Sequence, residues 1–217
     1  MQLFRPGANT IATLVIAAIG ATPVLAVGLS YQLMRSPYVT DQHVTRNQPV
    51  PFSHEHHVSG LGLDCRYCHT SVEKARFAGM PPTETCMTCH SQIWTNAQML
   101  VPVRESLAKG QPIAWTRVHR LPDYVYFDHS VHVAKGVGCT TCHGEVGQMR
   151  LMRQAAPLTM QWCLDCHRNP APHLRPAEAV FDPNWHAPKD QAEAGAKLAA
   201  TYHIHTDHLT DCTICHR

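Results

Sequence analysis

Five times the chain spells Cys-x-x-Cys-His: Cys65–His69, Cys86–His90, Cys139–His143, Cys163–His167 and Cys212–His216. All ten cysteines of the 217 residues fall in these five motifs, and none is left over. Two thiols two residues apart can add across the two vinyl groups of one porphyrin, and the imidazole that follows directly becomes the proximal ligand of its iron. The fixed spacing follows because both bonds must be made within about one turn of chain. The cofactor-binding residues are therefore Cys65, Cys68, Cys86, Cys89, Cys139, Cys142, Cys163, Cys166, Cys212 and Cys215, and the proximal ligands are His69, His90, His143, His167 and His216. Five haem c groups are expected. A zinc ribbon needs no histidine after each pair, a thioredoxin-like pair stands alone beside a βαβ pattern, and secreted disulfides are not confined to one repeated close spacing.

Five of the 17 histidines close the motifs, which leaves twelve others. A six-coordinate haem takes a second axial ligand, usually His or Met when its task is electron transfer. Aromatic residues make up only 7% of the chain, so the soluble part lacks the material for an ordinary side-chain core. The expected fold class is a multihaem cytochrome c, a mostly irregular chain with short α-helices wrapped around five haems, plus one N-terminal transmembrane helix. The formal charge of +2 is reversed by the two propionates on each haem, so it carries no nucleic-acid signal.

The N-terminal segment is uncharged from Thr10 to Met34 and nearly continuously apolar from Ile11 to Leu29, ending at Arg35. That is long enough to span a bilayer and longer than most signal-peptide cores; a cleaved signal peptide is the competing reading. Pro23 can kink such a helix, which membrane helices tolerate. Arg5 and the α-amino group give a positive-inside cue. The expectation is an uncleaved single-pass anchor in residues 1–35, held by membrane lipid in a bacterial cytoplasmic membrane, with the haem domain on the periplasmic side. Residues 36–51, with Pro37 and Pro49, read as a linker, and residues 52–217 as the pentahaem domain.

That domain contains a duplication. Phe52-Ser-His54-Glu-His-His57 precedes the first motif, and Phe127-Asp-His129-Ser-Val-His132 precedes the third. Each leads on to a second motif after a turn carrying threonine, Pro82-Thr83 and Leu158-Thr159. The repeats run over 52–90 and 127–167. A half-repeat, 202–217, contains His203-Ile-His205-Thr-Asp-His208 before its single motif. The motifs are expected to open short helices, and the stretches near 91–126 and 168–201 to be interface arms or linkers. For the fifth distal ligand four residues compete. His205 has the better reach to its own downstream haem. His208 and Met160 lie too close to the next motif for their own haem and would serve another, and His119 stands in the intervening stretch. A Met ligand would raise the potential of its iron; Met160 packing on a porphyrin is the alternative. Trp94, Trp115, Trp162 and Trp185 are expected on porphyrin edges or subunit contacts, and His43, His56, His173, His186 and His203 at the surface or behind the ligands.

The paired histidines before the odd-numbered motifs resemble the multihaem cytochrome c3 and c7 families. The resemblance implies that the first histidine of each pair caps the haem attached just downstream and the second reaches a neighbour. By it, His54 caps the haem of Cys65/Cys68 and His129 that of Cys139/Cys142, while His57 and His132 ligate other haems. A narrower likeness is carried by Trp115-Thr-Arg-Val-His119-Arg-Leu-Pro-Asp-Tyr-Val-Tyr-Phe127-Asp-His129-Ser-Val-His132, by Cys86-Met-Thr-Cys89-His90-Ser-Gln-Ile-Trp94 and by Leu158-Thr-Met-Gln-Trp-Cys163-Leu-Asp-Cys166-His167-Arg168. These resemble the pentahaem subunit of bacterial alternative complex III, and related sequences occur in other membrane-bound molybdenum/iron–sulfur oxidoreductase assemblies.

What this second resemblance implies is a chain that works beside integral-membrane and iron–sulfur subunits. It would pass electrons from quinol oxidation to a cytochrome c, a blue-copper protein or a terminal oxidase. A subunit of that kind has no catalytic site of its own. Two other readings compete: a stand-alone, single-anchor quinol dehydrogenase, and a multihaem reductase with an open haem site. The second is disfavoured because every motif ends in His and distal candidates outnumber haems.

Overall fold

The computed structural model describes Arg5 and residues 7–217; the α-amino group of the positive-inside cue lies outside the described residues. Helix α1 (Ala8–Arg35) runs unbroken for 28 residues with Pro23 inside it and no buried side chain. At 1.5 Å per residue it is about 42 Å long, more than a hydrocarbon core of about 30 Å requires. It is long and apolar enough to cross a membrane. The hydroxyls of Thr13 and Thr22 donate to the Asn9 and Ala18 carbonyls at 2.9 and 2.7 Å, so neither polar group is left bare on the apolar rod. At its end Arg35 donates to the Tyr31 hydroxyl at 2.6 Å, the aromatic-and-cation pairing that suits a membrane–water boundary.

A single turn, α2 (Pro37–Thr40), ends at Asp41 in the left-handed region (φ 57°). The chain that follows is docked rather than free. His43 N–H donates to the Gln154 carbonyl at 2.7 Å, and the side chains of Gln42 and Gln154 bridge to the Ala155 and Thr40 carbonyls. An isolated antiparallel bridge joins Thr45 to Arg153.

Every motif sits on a short helix, in two different ways. In α3 (Cys65–Cys68), α7 (Cys139–His143) and α10 (Cys212–Cys215) the first cysteine opens the helix. In α4 (Thr83–His90) and α8 (Met160–Arg168) the motif comes a turn later. The caps follow the sequence: the Asp64 carboxylate accepts from Arg66 N–H at 2.8 Å, and Thr159 Oγ1 accepts from Trp162 N–H at 3.4 Å. Gly138 precedes α7 because a Cβ there would stand 2.1 Å from the Arg175 guanidinium.

The two long insertions fold back onto the domain instead of standing off it. The first forms α5 (Val101–Lys109), which packs on α4 through a hydrogen bond between Thr83 and Ser106 and a cluster of Val50, Leu100 and Val103 that also holds Trp115. The second forms α9 (Gln191–Thr201), locked to the turn Ala171–His173; Gln191 Nε2 donates to the Ala171 and Leu174 carbonyls at 3.2 and 2.7 Å. The remaining α6 (His129–Ala134) is capped by Asp128, which accepts from Ser130 N–H at 2.8 Å.

Among the described residues the fully buried apolar side chains are few, Met149, Leu174, Val103 and Val180 being the largest. No strand longer than an isolated bridge is present among them. The chain is a frame of short helices whose own apolar core is thin.

Candidate haem centres

The ten thiols are free, none being joined in a disulfide. Their histidines are held by one ring nitrogen. His69 Nδ1 bonds the Gly79 carbonyl at 2.7 Å, His90 Nδ1 the Ile93 carbonyl at 3.3 Å, His167 Nδ1 the Leu209 carbonyl at 2.8 Å, and His216 Nδ1 the Tyr124 carbonyl at 3.2 Å. A donor bond from Nδ1 to a carbonyl fixes the tautomer and leaves Nε2 free to ligate a metal. His143 differs: its Nδ1 faces His119 Nε2 at 3.2 Å.

Three of the four paired histidines outside the motifs are held in the same manner, while the Nδ1 of His54 is buried without a partner. His57 Nδ1 bonds the Ser53 carbonyl at 2.8 Å, His129 Nδ1 the Arg76 carbonyl at 2.7 Å, and His132 Nδ1 the Asp128 carbonyl at 2.7 Å. A phenylalanine steers each pair. Phe52 stacks on His57 at 4.3 Å and meets His54 edge-on at 4.9 Å, and Phe127 does the same to His132 and His129 at 4.4 and 4.8 Å. The duplication read in the sequence is thus repeated in the geometry of these two triplets.

Ring separations test whether a haem fits. An imidazole nitrogen lies about 2 Å from a metal, with the ring centre about 1 Å further back, so two rings on opposite sides of one iron stand roughly 6 Å apart. His57 and His90 are 6.3 Å apart, His129 and His143 6.3 Å, and His132 and His167 6.1 Å. Three motif histidines therefore face a second imidazole at bis-histidine spacing. His54 is half-buried beside His69. Burial first, then the His69 charge, lowers its pKa to about 4, which keeps it in the neutral form that a metal needs. Burial lowers His143 to about 3, with His119 next in effect. The five cysteine pairs with their following histidines fit five c-type haems, and the ring spacing places a second imidazole opposite three of them.

The candidates for the fifth distal ligand are scattered. His119 is lowered by burial to about 4 and sits against His143, its Nε2 3.2 Å from the His143 Nδ1. His205 is exposed, and His208 is exposed and bonded to the Asp211 carboxylate at 3.1 Å. Met160 opens α8 with 63% of its surface exposed. The ring nearest His216 is Tyr124, at 5.7 Å. Of the tryptophans, Trp94 is exposed and stacks on His56 at 6.2 Å, and Trp185 lies 4.4 Å under the Arg175 guanidinium.

Two arginines escape a motif search. Arg175 is 3% exposed and donates to Thr140 Oγ1 at 2.8 Å and to the Ala179 and Asp182 carbonyls, yet its Nε has no partner. The Nε of Arg76 is likewise buried without one. Unmet cationic donors beside the first and third motifs suit a bound carboxylate such as a haem propionate. Single arginines in irregular chain carry no local signal that could have found them.

Residues 131–217 match the family model described as cytochrome c3. The multihaem cytochrome c subunit of menaquinone reductase from Nitratidesulfovibrio vulgaris is 35% identical over 99 residues, which is 45% of this chain and 46% of that protein. The chain therefore spans just under half the length of this relative.

Proposed function

We propose that this chain, which has the multihaem cytochrome c fold and is similar to cytochrome c3 over residues 131–217, carries electrons as the membrane-anchored subunit of a quinone-linked oxidoreductase complex. The observation that carries the reading is the set of three imidazole pairs at 6.1–6.3 Å, each containing a motif histidine. When bound there, a haem supplies a one-electron iron couple. The protein's own part would be to hold His57, His90, His129, His132 and His167 by Nδ1 and to offer a second imidazole opposite three of the motif histidines, which suits electron transfer rather than substrate binding.

Helix α1 would fix the chain to a bacterial cytoplasmic membrane with the haem domain on the periplasmic side. Its partners would be integral-membrane and iron–sulfur subunits, with a cytochrome c, a blue-copper protein or an oxidase as acceptor. The finer assignment is a pentahaem subunit of alternative complex III, which oxidises quinol; the likeness of the Trp115–His132 stretch supports it. The relative belongs to a menaquinone reductase, and this favours a second reading in which electrons run through the haems toward the quinone.

Gentle detergent extraction, haem-stained gels and iron–sulfur EPR on the purified material test the proposal. Co-purification with polytopic and iron–sulfur subunits supports it, whereas a lone 24.2 kDa haem protein that still oxidises quinol points to the stand-alone dehydrogenase. Quinol-driven reduction of a cytochrome or copper protein selects the first direction; menaquinone reduction by a reduced soluble carrier selects the second.

A further inference from the structure

We propose that the five haem sites form a single file whose order is not that of the sequence: second, first, third, fourth, fifth, with the haems of Cys86–His90 and Cys212–His216 at its two ends. This rests on the reading of the five motifs as haem sites and is independent of which complex the chain serves.

Each junction is carried by a contact. The first and second sites touch through residues inside their motifs, Tyr67 Oη lying 2.9 Å from Thr88 Oγ1. They also share one helical turn, from which His57 faces His90 and His54 lies beside His69. The first site meets the third across the repeat boundary, on successive carbonyls of one segment. Cys65 Sγ lies 3.7 Å from the Phe181 oxygen, and Cys139 N–H donates to the Val180 oxygen at 3.2 Å. His129, which faces His143, hangs by Nδ1 on the Arg76 carbonyl, seven residues after His69.

The third and fourth sites share α6, whose His129 and His132 face His143 and His167. The fourth and fifth are joined by His167 Nδ1 on the Leu209 carbonyl at 2.8 Å, three residues before Cys212.

The ends follow from a separate observation. Of the ten cysteines, Cys89 and Cys212 are exposed and the other eight are half-buried. The exposed pair belongs to the second and fifth motifs, the two that the contacts place at the ends. The duplication explains the order. Each repeat brings two linked haems, and the repeats join through their first haems, so the second haem of repeat one is left outermost. An electron passing along the file oxidises one iron and reduces the next, with no bond made or broken. Its donor and acceptor are the quinone-linked centres and the one-electron carrier of the proposed function.

The test is cryo-electron microscopy of the haem-loaded protein, read as iron–iron distances. The expected nearest neighbours are second–first, first–third, third–fourth and fourth–fifth. An iron of the second site closer to the third than to the first, or any site but the second and fifth at an end, overturns the order. Fewer than five irons would overturn it together with the five-haem reading beneath it. Five irons in another order would leave the proposed function standing.

Discussion

His57 and His132 occupy matching places in the two repeats, each held by its own main chain and each stacked on a phenylalanine. Because the His57 ring lies 6.3 Å from His90, removing it should open one axial position at the second motif while leaving both cysteines in place. We expect His57→Ala to convert one of five haems to high spin, seen as a new charge-transfer band and a high-spin EPR signal. His57→Met should restore a low-spin haem with a raised potential, since thioether ligation favours the reduced iron. Five low-spin haems in His57→Ala would remove His57 from the ligand set. His129→Ala makes the same claim for the third motif, where the rings are near parallel at 7°, and the same spectra would refute it.

Between elements, the decisive contacts are close approaches of backbone rather than large apolar faces. Gly195 in α9 lies so near the turn Ala171–His173 that a Cβ would stand 1.9 Å from the Ala171 carbonyl oxygen. Alanine is the better helix former by roughly 0.5–1 kcal/mol, but a backbone oxygen cannot swing aside as a side chain can. The clash should win, and Gly195→Ala should destabilise the domain by about 1–3 kcal/mol, measured as a lowered unfolding midpoint with haem content unchanged. An unchanged or raised midpoint would show that α9 is free to shift. At the other end of the chain α1 has no buried residue. A chain lacking residues 1–35, exported by a foreign signal sequence, should therefore be soluble and carry five haems; loss of haem would mean that α1 supports the domain.

This scale also marks how far the sequence could be read. The ten cysteines and five following histidines were legible outright, because attachment is local: thiols and ligand lie within about one turn. The Phe-x-His-x-x-His repeats were legible because a three-residue step on a helix keeps two rings on one face. The packing of the insertions was not, since the contacts of α5 and α9 are made by Thr83, Ser106, Gln191 and Gly195, residues with no periodic signature. Nor could the sequence decide where His119 goes. It meets His143 across 24 residues of irregular chain, a tertiary fact with no local trace.

For the molecule as a whole, the question is what holds a haem domain of this size together when Met149, Leu174, Val103 and Val180 are its largest fully buried side chains. A soluble domain normally balances the conformational entropy of the chain by burying a broad apolar core. Here the motif helices are four to nine residues long, too short to stand alone in water. The stabilising mass would come from five porphyrins, each covalently tied by two cysteines and held by the histidine that follows them. Such ties act like cross-links, shrinking the unfolded ensemble while adding apolar surface to bury. Withholding the haems should therefore cost the fold and not merely the colour. A chain lacking residues 1–35 with all ten cysteines replaced by alanine should show low helicity in far-UV circular dichroism and no cooperative thermal transition, while the haem-loaded counterpart melts in one step. A sharp transition with native-like helicity in the haem-free chain would mean that the thin side-chain core is sufficient, and that the haems occupy a fold they do not build.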